Sequence, residues 1–408
     1  MEIQMSSKHH STVDAANFVL PTTHLMAKLP IIGAVMFVIG LIGSYVVGMQ
    51  EKEQFFFSYH VSFMYFLSLA LGGLFFVIVQ FATRAGWSVL VRRFAENIMG
   101  TLPIFALLFI PIAMGTHTLF HHWLDHDAVM ASPALRAKSA YLNLPFFFVR
   151  AGIYFTVWFL LSRAFLKGSL AQDKSGDLAI TRKLQKLSYP SIALFALTLT
   201  FACFDWIMSL DPHWSSTMFG VYYFAGSVVA IYALLIVLSR LFGGVGAMSK
   251  VLTTEHRHDM GKLMFGHLVF WTYIAFSQFF LMWYANMPEE TAWYGIRINS
   301  EWLNISILLA MGHFVVPFFF ILSRHVKRNG IALFIAAIWM LFIHYVDIYW
   351  LIMPNYKAES ASFHVLDLTT LLTVGGLFIA TFGWLTAKSS LVPLKDPRLP
   401  ESLSFENM

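Results

Sequence analysis

The sequence predicts an all-α integral membrane protein of about ten transmembrane helices, arranged as two four-helix bundles with two peripheral helices. Three observations carry that expectation. Only 12% of the 408 residues are charged, against roughly 25% in a soluble domain. Hydrophobic residues make up 58%, 41 of them Phe, and the mean hydropathy is +0.67. These residues also gather into ten runs, each near the roughly 20 residues that a bilayer demands of a helix.

Taken in order, a polar segment, 1–28, leads to the first apolar run, which is too long for a signal-peptide core and is expected to stay as a helix. The ten-helix domain then fills 29–387, with spans near 29–49, 57–82, 98–121, 144–166, 189–209, 216–241, 262–286, 302–324, 330–353 and 366–387. Spans two to five and six to nine, about 57–209 and 216–353, are the expected bundles. Pro103 and Pro111 predict kinks in the third span, because proline has no amide hydrogen to donate and its ring clashes with the preceding turn. Trp283, Tyr284, Tyr349 and Trp350 stand at span ends, as in interfacial aromatic belts.

The connectors differ in kind. Segment 83–97, TRAGWSVLVRRFAEN, predicts a short amphipathic helix on the cytoplasmic membrane surface. Segment 123–143 is the longest outer loop and a possible docking place for a partner. The tail 388–408 is polar, contains Pro393, Pro397 and Pro400, and is expected to run extended.

Cations set the orientation. Arg84, Arg92 and Arg93 follow span two, and Lys167, Lys174, Arg182, Lys183 and Lys186 follow span four. Lys250, Arg257 and Lys262 follow span six, and Arg324, Lys327 and Arg328 follow span eight. The opposite loops are richer in acids such as Glu51, Asp125, Glu289 and Glu359. The positive-inside rule therefore places both termini in the cytoplasm. The pI near 9.1 reflects these loops rather than a nucleic-acid surface. The chain has one cysteine, Cys203, so it cannot supply a CxxCH haem attachment or a four-thiolate cluster, and no cofactor is expected in it.

The residues that carry chemistry are ionisable groups at membrane depth, where they are costly and usually face a protein interior. Stretch 201–227, FACFDWIMSLDPHWSSTMFGVYYFAGS, holds Asp205, Asp211 and His213 between two spans; Asp211 and His213 read equally well as a solvated turn. At 1.5 Å per residue, His60, His117, Arg150, Asp205, His344 and Asp347 all fall in the outer half, and His313 and His267 continue inward. His344 and Asp347 are three apart, on one helical face. Such a series suits a proton path. Two other readings remain open: a haem b between His60 and His117, and histidines that simply hydrogen-bond across helices. Asp205 is the favoured partner for Arg150, with snorkelling to outer headgroups as the alternative.

Three stretches, FDWIMSLDPHWSSTMFGVYYFAGS, NLPFFFVR and FLMWYANMPEET, closely resemble the F membrane subunit of alternative complex III, within the NrfD/PsrC-type integral membrane proteins. The resemblance covers nearly the whole hydrophobic chain. It implies ten helices with two four-helix bundles in a bacterial inner membrane. It also implies a complex that oxidises menaquinol or ubiquinol at a sister C subunit, then passes electrons to iron–sulfur clusters in a B subunit and c-type haems in multihaem and monohaem cytochrome subunits. A soluble cytochrome c or a haem-copper oxidase would accept them. Proton conduction through the F-type bundle is part of what the resemblance suggests. Asp205, Asp211 and His213 are motif positions in that comparison.

Three functions follow for comparison. The first is a redox-inactive membrane subunit that holds a quinol-oxidising assembly together and conducts protons. The second gives the chain its own quinol pocket at His60, Arg150 and Asp205. The third is a solute or ion carrier, which predicts spans broken at mid-membrane, whereas Gly72–Gly73 and Gly375–Gly376 lie in continuous runs.

Overall fold

A computed structural model describes residues 18–406, so the expected polar leader lies outside the described residues as far as residue 17, and the tail beyond residue 406. Among the described residues there are helices and no strands. Ten helices are long and apolar enough to cross a membrane: Leu25–Gly48, Lys52–Ala82, Val89–Met114, Leu144–Ser175, Leu178–Leu210, Phe219–Phe242, Thr254–Ala285, Trp302–Leu322, Gly330–Asn355 and Val365–Ala387, called spans 1 to 10 below. The chain is a multi-pass, all-α membrane protein.

Spans 2, 3, 4 and 5 pack around one another, and spans 6, 7, 8 and 9 form a second group. The groups join where span 2 meets spans 6 and 9, and where span 5 meets span 6. Of the most apolar window, 89% is buried in span 2 and 83% in span 6, against 11% in span 1, so the first two form the shared wall and the last faces lipid. Span 10 lies on span 2, and span 1 on span 10. Lipid tails are as apolar as leucine, so this outer pair cannot form by hydrophobic exclusion and depends on close backbone approach. A Cβ at Gly33 or Gly376 would collide with the facing backbone, and Ser44 Oγ donates to Thr369 Oγ1 at 3.1 Å across the contact.

Span 3 is broken as its prolines predict. After Val89–Met99 come Leu102–Leu108 and Ile110–Met114, with Pro103 and Pro111 in their first turns. Short helices Thr116–Leu119 and His121–Leu124 complete the passage to the outer loop. That loop holds two more short helices, His126–Ala131 and Pro133–Lys138, and Lys138 Nζ anchors it by donating to the Pro212 carbonyl at 2.6 Å.

Two expectations are corrected at the cation-rich end. Residues 89–97 leave no exposed amphipathic face for a membrane surface. Helix Val89–Met99 is buried along its whole length, because its charges are paired inside the protein. Arg92 donates to Glu96 Oε1 at 3.0 Å and to Asp396 Oδ2 at 2.5 Å, and Arg93 Nη2 donates to Asp173 Oδ2 at 2.5 Å. The tail is not extended either. It folds back across this end, with Leu391, Val392 and Leu399 buried, and ends in helix Leu399–Leu403. Ser402 Oγ donates to the Trp87 carbonyl at 2.7 Å, and the Ser402 carbonyl meets His256 Nε2 at 2.9 Å, so the tail touches both helix groups.

Candidate functional site

The first polar centre is built where span 4 begins and span 5 ends. Asn143 caps span 4 by accepting from the Phe146 amide at 3.0 Å, and Pro145 occupies the first turn, where its missing N–H costs nothing. Arg150 therefore enters the bundle less than two turns from the helix start. The helix of span 5 stops at Trp206, gives way to the 3-10 turn Met208–Leu210, and leaves Asp205 facing inward. Arg150 grips the Asp205 carboxylate through two bonds, Nε to Oδ2 at 2.7 Å and Nη2 to Oδ1 at 2.9 Å. Its Nη1 donates to the Tyr141 carbonyl at 2.8 Å, and Tyr154 Oη donates to Asp205 Oδ2 at 2.7 Å. The guanidinium also lies 3.8 Å from the Tyr141 ring centre and 4.4 Å from that of Phe146. Asp205 is fully buried and Arg150 nearly so, which makes this a closed, desolvated ion pair rather than a snorkelling arginine.

His60 is buried beside this pair but bonds elsewhere: its Nε2 meets the Trp206 carbonyl at 2.5 Å, and its Nδ1 has no partner among the described residues. His117 does not belong to the network. It is exposed on the four-residue helix Thr116–Leu119, because the chain breaks at Gly115 and Phe120 and the helical register extrapolated past Pro111 is lost. With one ring buried and the other exposed, His60 and His117 are not a facing pair for an axial haem. Asp211 is half-buried and His213 exposed in the outer turn, where Asp211 Oδ1 accepts from the His213 amide at 3.2 Å. Among the described residues no group of three His, Cys, Asp or Glu side chains is placed to hold a metal ion.

The second bundle carries a separate, looser centre. His344 and Asp347 are both buried, as their spacing predicts, but they reach different neighbours. His344 Nε2 meets Ser68 Oγ on span 2 at 2.8 Å, and Asp347 Oδ1 accepts from Tyr222 Oη on span 6 at 2.5 Å. His313 is fully buried and neither ring nitrogen has a partner among the described residues. Its ring stacks on Trp271 at 3.7 Å between centres. The indole N–H of Trp271 stands near the Asp347 carboxyl without closing a hydrogen bond. His313 sits in a π-helical stretch, Ala310–Val315. Pro317 follows and offers no N–H to the widened turn; the Gly312 carbonyl takes the Trp339 indole N–H instead, at 2.6 Å. His267, half-buried, bonds back to the Leu263 carbonyl at 2.8 Å and stacks on Tyr232 at 5.2 Å, apart from the others.

Beside this centre opens a cavity of about 670 Å³, between spans 7, 8 and 9 and the outer helix Pro288–Asn299. Its walls include Tyr222, Trp271, Phe279, Tyr294, Phe314 and Trp350. The neighbouring Arg297 is buried with no carboxylate bonded to it among the described residues; it donates to the carbonyls of Trp293, Trp350 and Leu351, the last two at the end of span 9. Burial pushes its guanidinium down to about 9, still charged at neutral pH.

Sequence reasoning overlooked the tyrosines. Tyr154 is four residues after Arg150, hence on the same helix face, and that spacing was a usable signal. Tyr222 and Trp271 had none, since aromatic residues fill the whole chain. Asp367 was also overlooked: it caps span 10 and accepts from Ser58 Oγ at 2.5 Å.

No protein-family model matches this chain, and no curated protein matches it.

Proposed function

We propose that the chain is an integral subunit of a quinol:acceptor oxidoreductase in a bacterial inner membrane, with both termini in the cytoplasm. In this reading it carries no electrons. It holds membrane and periplasmic subunits together and offers protons a way through its second bundle, by Asp347, His344 and His313. The partners are those that the resemblance implies: a sister quinol-oxidising subunit, an iron–sulfur subunit and c-type cytochromes, with a haem-copper oxidase as one possible acceptor.

The observation that carries the reading is the Arg150–Asp205 pair. Arg150 belongs to NLPFFFVR and Asp205 to FDWIMSLDPHW, two of the stretches on which the resemblance rests, and they meet in one buried bidentate contact. Stretches far apart in sequence that need each other in space are a stronger ground for likeness than either alone. The quinol pocket expected at His60, Arg150 and Asp205 gains no such support, since Arg150 and Asp205 are occupied by each other and by Tyr141 and Tyr154.

Membranes from a strain lacking this chain test the proposal. Quinol-dependent reduction of periplasmic c-type cytochrome should fall sharply and return when the chain is supplied again. Unchanged reduction would overturn it. The topology is tested by reporter fusions at residues 130 and 290, which should both read periplasmic.

A further inference from the structure

At the cation-rich end, the last turn of span 6 and the first turn of span 9 leave a recess of about 470 Å³ between them, lined by Arg240, Leu241, Ile331 and Phe334. Span 6 ends at Phe242 and span 9 begins at Gly330, so Arg240 and Ile331 each stand within about one helical turn, roughly 5 Å, of a span end. That is the level at which acyl chains give way to headgroups.

The recess is cationic on one side. Arg240 is exposed and makes no hydrogen bond or ion pair among the described residues. Near it, Arg257 of span 7 donates to the Leu252 carbonyl at 3.2 Å and to Thr254 Oγ1 at 3.3 Å, while its Nε is buried with no partner among the described residues. That Nε would lie 3.9 Å from a Cβ placed on Gly330, so it borders the first residue of span 9. The charge that acts on Arg257 is that of Arg240, another cation. The acids at the start of span 7 are engaged by other cations: the two Glu255 oxygens accept from Arg328 at 2.5 and 2.8 Å, and Asp259 pairs with Lys262. Two neighbouring guanidiniums with no carboxylate bonded to either among the described residues repel each other, and an anion between them relieves the repulsion.

The other side of the recess opens to lipid. Ile331 and Leu241 are 64% and 40% exposed. Ile335, Ile338 and Phe342 are exposed as well and continue from Ile331 at helical spacing, as one apolar stripe along span 9. A cation pair at headgroup level above such a stripe complements a phosphate that carries an acyl chain. A soluble phosphate would meet the guanidinium and leave the stripe uncovered. A lone lipid-facing arginine would snorkel to any headgroup, whereas a second guanidinium and a recess fix one place for it.

We infer that this recess binds an anionic glycerophospholipid of the leaflet at the cation-rich end, its phosphate accepting from Arg240 with Arg257 adding charge, and one acyl chain lying past Leu241 and Phe334 along the Ile331 stripe. The inference stands apart from the proposed function, since it needs a bilayer containing anionic lipid and no partner subunit.

The test uses the purified full-length chain in phosphatidylcholine nanodiscs that carry a trace of photoreactive phosphatidylglycerol or, in parallel, photoreactive phosphatidylcholine. The phosphatidylglycerol probe should label peptides within 238–245 or 328–342 more strongly than the phosphatidylcholine probe does. Unmodified phosphatidylglycerol should compete, and glycerol 3-phosphate should not. Arg240→Gln removes one of the two charges and should weaken labelling about fivefold, the effect of one basic group near a membrane surface. Ile331→Glu sets an acid in the recess and should weaken it by about tenfold or more. Lys167→Gln, which removes an exposed cation of span 4, should leave labelling unchanged. If Ile331→Glu does not fold, the exposed Arg240→Gln and the competition decide the matter. Labelling that is equal for the two probes, spread over the lipid-facing spans, displaced by glycerol 3-phosphate, lost as much in Lys167→Gln, or unchanged in Arg240→Gln overturns the inference.

Discussion

At the scale of single residues, Arg150 and Asp205 decide most. Each is held where water does not reach, and each neutralises the other. Removing one partner of a buried pair strands an uncompensated charge, which destabilises by about 3–5 kcal/mol, whereas removing both with apolar or neutral replacements can be nearly neutral. Asp205→Asn and Arg150→Met should therefore each lower the thermal stability of the purified chain, and the double variant should recover part of the loss. A double variant no better than the worse single one would show that the coupling between them is weak. Tyr154→Phe is a milder case: it deletes one donor to Asp205 and should cost about 1 kcal/mol, read in the same melting experiment. Why Arg150 and Asp205 were legible in the sequence is plain, because a charge inside an apolar run is conspicuous. His117 looked alike on paper, yet helical depth could not be carried across Pro111 and Gly115, and the residue ended outside.

At the scale of elements, the spans themselves were legible because a membrane helix is set by length and hydropathy, both local properties. The cation-rich end was not. Local reading sends Arg92 and Arg93 to a surface, since only Glu96 is near them in sequence and the other acids of the cluster, Asp396 and Asp173, are 304 and 80 residues away. The same distance explains the misread tail: its polarity and three prolines suggested an extended run, but Asp396 pairs with the buried Arg92, and Leu391, Val392 and Leu399 are buried as well. The helices also run past the apolar windows here, as in Leu144–Ser175, because polar side chains such as Gln172 find partners in the tail, at 3.2 Å to the Lys395 carbonyl. Deleting residues 389–408 should thus loosen both bundles at this end. Proteolysis of the loop between spans 6 and 7 should become faster than in the intact chain, since His256 loses the Ser402 carbonyl. Equal proteolysis rates would mean that the tail contributes no hold.

At the scale of the whole molecule, two helix groups share a wall made by spans 2 and 6, and each holds a different kind of polar centre. The first is built on a closed ion pair, with both Asp205 carboxylate oxygens held by Arg150 and one of them also by Tyr154, as suits a fixed joint. The second holds His313, with neither ring nitrogen partnered among the described residues, behind Trp271 in the cavity wall, as suits a place where protons arrive. A molecule with one rigid half and one receptive half fits a subunit that anchors neighbours and serves them. The central claim is that it does so inside a quinol-oxidising assembly. Purification of the tagged chain from native membranes in mild detergent, followed by haem staining and identification of the co-eluting polypeptides, tests that most directly. The account predicts c-type cytochromes and an iron–sulfur protein eluting with the chain in fixed proportion, and reduced on addition of quinol. A chain that elutes alone, or with no haem-bearing partner across several detergents, would contradict it.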